Sequence, residues 1–153
     1  MTVKATRAKP PEDTPDTAAY RLDDQVGFLL RRATQRHVAI FAERMGMGLT
    51  PTQWAALAKL YEEGPSSQNL LGRNTAMDAA TVKGVVDRLT SRHLIGTSGD
   101  PADGRRRVVA LTEEGRRLVE AALAAAIAIS EETLAPLSPA ERAELLRLLR
   151  KLA

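Results

Sequence analysis

The chain contains no cysteine in its 153 residues. Disulfides, thiolate metal sites and thiol redox switching are therefore excluded. Long apolar runs are missing as well. The longest, Ala121 to Ile129, falls far short of the ~20 residues needed to span a bilayer. Lys4, Arg7 and Lys9 have no apolar stretch behind them, so no secretory signal is expected and the cytoplasm follows by elimination. Only two histidines are present, far apart, and no acidic cluster adjoins a nucleophile. No catalytic site, metal site or cofactor is expected, and an enzyme is the least favoured class. Aromatic residues make up 3%, while alanine, leucine and arginine are abundant. That balance favours helices over strands, because those residues lose little on entering a helix.

The formal net charge of +3 says less than its distribution. Between Ser66 and Leu111 stand seven basic residues (Arg73, Lys83, Arg88, Arg92, Arg105, Arg106, Arg107) and four acidic ones (Asp78, Asp87, Asp100, Asp103). The remainder of the chain balances, so the positive excess sits in one stretch, as a phosphate-binding surface requires.

Residues 1–18 hold Pro10, Pro11 and Pro15 and few large apolar groups. A disordered tail is expected there, with a basic arm touching DNA as the alternative. Residues 19–153 read as a single domain. Val26, Leu29, Leu30, Ala33, Ile40 and Phe41 recur at helical spacing and predict a helix from Leu22 to Met45, ended by Gly46 and Gly48. Thr50 before Pro51 opens a second helix with Trp54, Leu57, Leu60 and Tyr61 on its apolar face, stopped at Gly64-Pro65. A short helix, Gln68 to Asn74, should follow Ser67. Asp78 then caps a helix burying Val82, Val85, Val86 and Leu89. Ile95–Ser98 and Arg107–Leu111 read as strands joined by a turn over Asp100–Gly104. Thr112 caps a fifth helix reaching Leu134. Ser138-Pro139-Ala140-Glu141 opens a sixth, which should bury Leu145, Leu148, Leu149 and Leu152. The fold class is mainly α with a small β-wing.

This order, a short helix, a capped helix and a basic hairpin, points to double-stranded DNA. Ala79, Ala80, Thr81, Lys83, Gly84, Asp87 and Arg88 lie off the buried stripe of the fourth helix. Lys83 can reach a base acceptor or a phosphate, Thr81 offers a hydroxyl, and the alanines and glycine let the backbone approach closely. Gln68 and Arg73 join them from the preceding helix. In the hairpin, alternation puts Arg105 and Arg107 on one face and Arg106 on the other. Arginine gains from the potential of a narrow minor groove, and Asp103 can orient one by pairing with it.

Asp103-Gly104-Arg105 followed after five residues by Leu111-Thr112 resembles the wing signature of the MarR family. Leu49-Thr50-Pro51-Thr52-Gln53-Trp54 resembles the start of that family's second helix. Ala80-Thr81-Val82 and Val86-Asp87-Arg88-Leu89 resemble its recognition helix. The resemblance covers residues 20–152. It implies a winged helix-turn-helix of six helices, with a DNA-binding lobe over 50–111 and a homodimer joined through 20–45 and 112–153. It also implies that Arg105 probes the minor groove with Asp103 orienting it. Two departures stand out. Gly104 takes the place of an arginine common in relatives, which implies one phosphate contact fewer. His93 replaces the usual glycine after the recognition helix, so that turn is expected to differ.

At the sensing end, a peroxide-sensing branch of the family carries a reactive cysteine where this chain has Gly27. Leu30 to His37 instead resembles regulators of aromatic-acid catabolism, in which an arginine and a histidine of the first helix hold an aryl carboxylate. That resemblance points to Arg31 and His37, with Arg32 as substitute for Arg31. A guanidinium binds carboxylate bidentately, and Phe28 and Trp54 offer flat apolar walls. The bland alternatives are a satisfied core histidine and arginines that are solvated or pair across a dimer. The expected function is a ligand-responsive repressor. Its dimer spaces two recognition helices about one helical turn apart, ~34–36 Å, over a pseudo-palindrome, until a small aromatic carboxylate releases it. A sequence-nonspecific architectural DNA-binding protein is the alternative.

Overall fold

A computed structural model of the chain describes residues 20–100, 103 and 107–153. The expected tail, and Gly104, Arg105 and Arg106, lie outside the described residues. The chain divides into two units after Thr34.

In the first unit the helix begins later than its apolar periodicity suggests. Leu22–Asp24 form a 3-10 turn, Gln25 is extended, and α1 (Val26–Arg44) starts only then. Asp23 and Asp24, residues of low helix propensity, fall in the segment that stays outside α1. Val26, Leu29 and Leu30 are exposed.

In the second unit, α1 buries Ile40 and Phe41 and ends at a turn in which Gly46, Met47 and Gly48 all adopt left-handed φ, between 55° and 62°. Glycine adopts that conformation freely, whereas at Met47 it costs about 1–2 kcal/mol. Thr50 then caps α2 (Pro51–Glu63) in a reciprocal box: Gln53 donates its backbone N–H to Thr50 Oγ1 (3.3 Å), and its side-chain oxygen accepts from the Thr50 backbone (3.1 Å). This is how Gln53, a buried polar residue, satisfies its acceptor.

Ser67 caps α3 (Gln68–Asn74), and Asp78 caps α4 (Ala79–Ser91) by accepting from the Thr81 backbone at 2.7 Å. Val82, Val85, Val86 and Leu89 are buried as their spacing predicts. They meet Leu57, Leu71, Ile95 and Val119 in the core, each side chain contributing about 1.5–3 kcal/mol. Beyond α4, His93 sits at φ 58°. That is the left-handed conformation that glycine adopts most freely.

Strands β1 (Ile95–Gly99) and β2 (Arg107–Leu111) pair antiparallel, from Ile95 opposite Leu111 to Gly99 opposite Arg107. A bridge between Ser66 and Val109, with bonds of 3.0 and 2.8 Å, ties the segment before α3 to the hairpin. The sequence carries no periodic signal for a single bridge. Thr112 caps α5 (Glu113–Thr133) and donates its hydroxyl to His93 O at 2.7 Å. A capping box at Ser138 opens α6 (Pro139–Leu152). One expectation fails here. Among the described residues α6 buries none of its own: Leu145 is half-buried, and Leu148, Leu149 and Leu152 are exposed, Leu152 by 75%. The apolar stripe exists, but no described element covers it.

Candidate DNA-binding surface and ligand cavity

On α4 the residues off the buried stripe face solvent: Ala79, Ala80, Thr81, Lys83, Asp87 and Arg88 are exposed and Gly84 is half-buried. Lys83 Nζ donates to Asp87 at 2.6 Å, one turn along the helix. Both side chains are largely exposed, so the pair contributes little to stability and the ammonium can exchange a carboxylate for a phosphate at small cost. A polar crevice of about 320 Å³ is lined by Ser67, Gln68, Asn69, Arg73 and Arg107. It brings three expected DNA contacts, from α3 and from the base of β2, to one place. Asp103 is exposed, and its backbone N–H donates to Asp100 O at 3.2 Å across the hairpin turn.

Arg92 belongs to the basic stretch but is engaged elsewhere. Its guanidinium donates to Met47 O (2.8 Å) and Gly48 O (2.9 Å). Sequence reasoning missed this partner, because the carbonyls of a left-handed turn more than forty residues away leave no local signature.

A second cavity, about 270 Å³, is walled by α1 (His37, Phe41), α2 (Pro51, Trp54, Ala55) and α5 (Ala126, Ile129, Ser130), with Met45 at the start of the turn. Its lining is mostly apolar and its size suits a single ring with a small substituent. His37 and Trp54, two members of the expected ligand site, both line it. Thr133 Oγ1 donates to Ile129 O at 2.8 Å, so its contact with His37 Nδ1, at 2.9 Å, is one in which the histidine donates. With Nδ1 as the donor, Nε2 of the neutral ring is left as an acceptor. Two further bonds clasp α1 to the end of α5: Arg36 donates to Glu132 O (3.0 Å), and Arg44 Nε to the Glu132 carboxylate (2.7 Å). In the amino-terminal unit Arg31 and Arg32 are exposed and Phe28 is half-buried. The Arg32 guanidinium lies 6.0 Å from the centre of the Phe28 ring.

A short helix, a capped helix with an exposed polar face and an antiparallel hairpin, packed on one core, define a winged helix-turn-helix DNA-binding protein. The chain belongs to the MarR family of transcriptional regulators; residues 49–106 match that family. It is 44% identical over 138 residues to the HTH-type transcriptional repressor NicR of Pseudomonas putida, covering 90% of this chain and 87% of NicR. A crystal structure of a probable transcriptional regulator from Pseudomonas aeruginosa superposes with a TM-score of 0.84 at 59% identity, over 87% of this chain and 100% of that one. BpsR of Bordetella bronchiseptica, whose DNA binding is regulated by 6-hydroxynicotinic acid, superposes with a TM-score of 0.83 at 46% identity, over 87% and 96% of the two chains. Among the described residues, no helix is long and apolar enough to cross a membrane.

Proposed function

We propose that the protein is a repressor that binds a pseudo-palindromic operator as a homodimer and is released by a small aromatic carboxylate seated against His37 and Trp54. One observation carries the DNA half. α4 presents an exposed face from Ala79 to Arg88, and Gln68, Arg73 and Arg107 line one polar crevice. Such a surface sets small and polar side chains against base edges and cations against phosphates. From the family resemblance, Arg105 is the residue that probes the minor groove with Asp103 orienting it, and Arg106 adds to the basic stretch. The cavity carries the sensing half. Trp54 supplies a flat wall for a ring, and His37 supplies a polar atom already fixed by Thr133. From the family resemblance, Arg31 or its substitute Arg32 is the guanidinium partner of the carboxylate, and Phe28 an apolar neighbour. The likeness to NicR and to BpsR supports a pyridine or benzene carboxylate as the effector class. To empty an almost fully occupied operator, the effector must prefer the released state by about 5 kcal/mol.

Fluorescence anisotropy tests this on a labelled duplex selected by the wild-type protein from a random pool, at fixed salt. Arg105→Ala is expected to weaken binding at least tenfold, and 6-hydroxynicotinic acid to release the wild type. Retained affinity in Arg105→Ala removes the wing from the interface. A ratio near one over random DNA replaces the repressor with an architectural protein.

A further inference from the structure

Arg92 ties the recognition helix to the turn whose two ends border the cavity. Arg92 stands at the carboxyl end of α4, where its backbone N–H accepts its place in the helix by donating to Arg88 O and Thr90 O. Its guanidinium reaches back to the turn between α1 and α2 and donates to two consecutive carbonyls, Met47 O at 2.8 Å and Gly48 O at 2.9 Å. Two donors of one rigid planar group on two adjacent acceptors fix position and direction together, which a lysine ammonium does not. The turn itself is tightly specified. Gly46, Met47 and Gly48 are all left-handed, Leu49 N–H donates to Gly46 O at 3.3 Å, and Met45 and Leu49 at either side are buried. Met45 and Pro51, which bracket the turn, both line the cavity. A molecule in the cavity would therefore touch residues at the two ends of the turn whose middle holds Arg92.

We propose that Arg92 is the positioning residue that couples cavity occupancy to the placement of α4, acting through the Met47 and Gly48 carbonyls rather than by touching DNA or effector. The role rests on the assignment of the cavity as the effector site. Coupling between two sites is reciprocal, and because Arg92 bonds the turn directly, DNA engaging α4 is expected to alter the turn even with the cavity empty. That reciprocity makes the two ideas separable.

Two variants suit the test. Arg92→Lys keeps the charge, and with it the long-range attraction to DNA, but loses the fork. Arg92→Gln keeps a hydrogen-bond donor without the charge. In the full-length protein, amide exchange at residues 46–50 is followed by NMR, free and bound to the selected duplex, without effector. DNA is expected to slow exchange of the Leu49 amide several-fold in the wild type and to leave it unchanged, within about twofold, in both variants. Release by 6-hydroxynicotinic acid is then measured as the ratio of duplex Kd with and without the acid. A wild-type ratio of about 10–100 is expected to fall below about 3 in Arg92→Lys, with its affinity for free DNA nearly unchanged. The proposal is overturned if DNA leaves the turn of the wild type unaffected, or if either variant transmits the effect as the wild type does. If the acid does not bind the wild type, the effector assignment fails alone, and the exchange measurement still decides for or against Arg92.

Discussion

Gly84 and Gly115 are both helical glycines, with opposite physical standing. A Cβ on Gly115 would lie 1.9 Å from Leu94 O, a backbone atom fixed also by the Thr112 N–H at 3.1 Å. The first turn of α5 can approach the Leu94 backbone, just before β1, so closely only without a side chain. Gly115→Ala is therefore expected to destabilise the fold by about 3 kcal/mol, measured as a fall in the urea midpoint with unchanged slope. At Gly84 an added Cβ would meet nothing nearer than the Arg88 guanidinium, at 3.5 Å. Nothing in the fold requires glycine there, although it costs a helix about 1 kcal/mol relative to alanine. Gly84→Ala is expected to raise Tm by about 3 °C and to weaken operator binding, because the methyl stands where the proposed interface needs close approach. Equal affinity for the two proteins in anisotropy would separate Gly84 from DNA binding.

At the scale of elements, the helix starts were legible because each depends on residues within one turn of one another. Thr50, Ser67, Asp78, Thr112 and Ser138 all accept from the backbone N–H three residues on. Asp78 makes this cap sensitive to acid. The Thr81 backbone N–H bonded to its carboxylate holds its pKa below the usual carboxylate value, with the Thr81 side chain adding to the effect. A depressed folded-state pKa gives stability that is complete above the ordinary value and lost as pH falls through the depressed one. Asp78→Asn keeps an acceptor but does not titrate. Any advantage of the wild type over Asp78→Asn near neutrality is expected to shrink as pH is lowered from about 7 to about 3, read from urea midpoints at each pH. A constant difference would show that the charge plays no part in starting α4. The start of α1 was less legible: hydrophobic period pointed to Leu22, but Asp23 and Asp24, of low helix propensity, stay outside α1 and its first residue is Val26.

For the whole molecule, the exposed leucines of α6 and Ile127 of α5, 61% exposed, are apolar surface that the described residues leave uncovered. A second copy is the proposed cover, and two copies are what a pseudo-palindrome requires. Leu148→Glu is expected to shift the protein from dimer to monomer in sedimentation velocity and to lower operator affinity at least tenfold, since linked half-sites bind far better than separate ones. A Leu148→Glu protein that sediments and binds as the wild type does would remove α6 from the interface.

Short-range physics is what the order of amino acids settled without help. The Asp100–Gly104 segment marked a hairpin, four apolar residues spaced along α4 marked its buried side, and five capping side chains marked where helices begin. Tertiary structure alone decided which distant groups meet: His37 with Thr133, Arg92 with the carbonyls of Met47 and Gly48, Gly115 with Leu94. Periodicity tells a helix which face to hide, as at α6, but carries no information about what hides it. That depends on contacts whose partners lie tens of residues apart, or on another chain altogether.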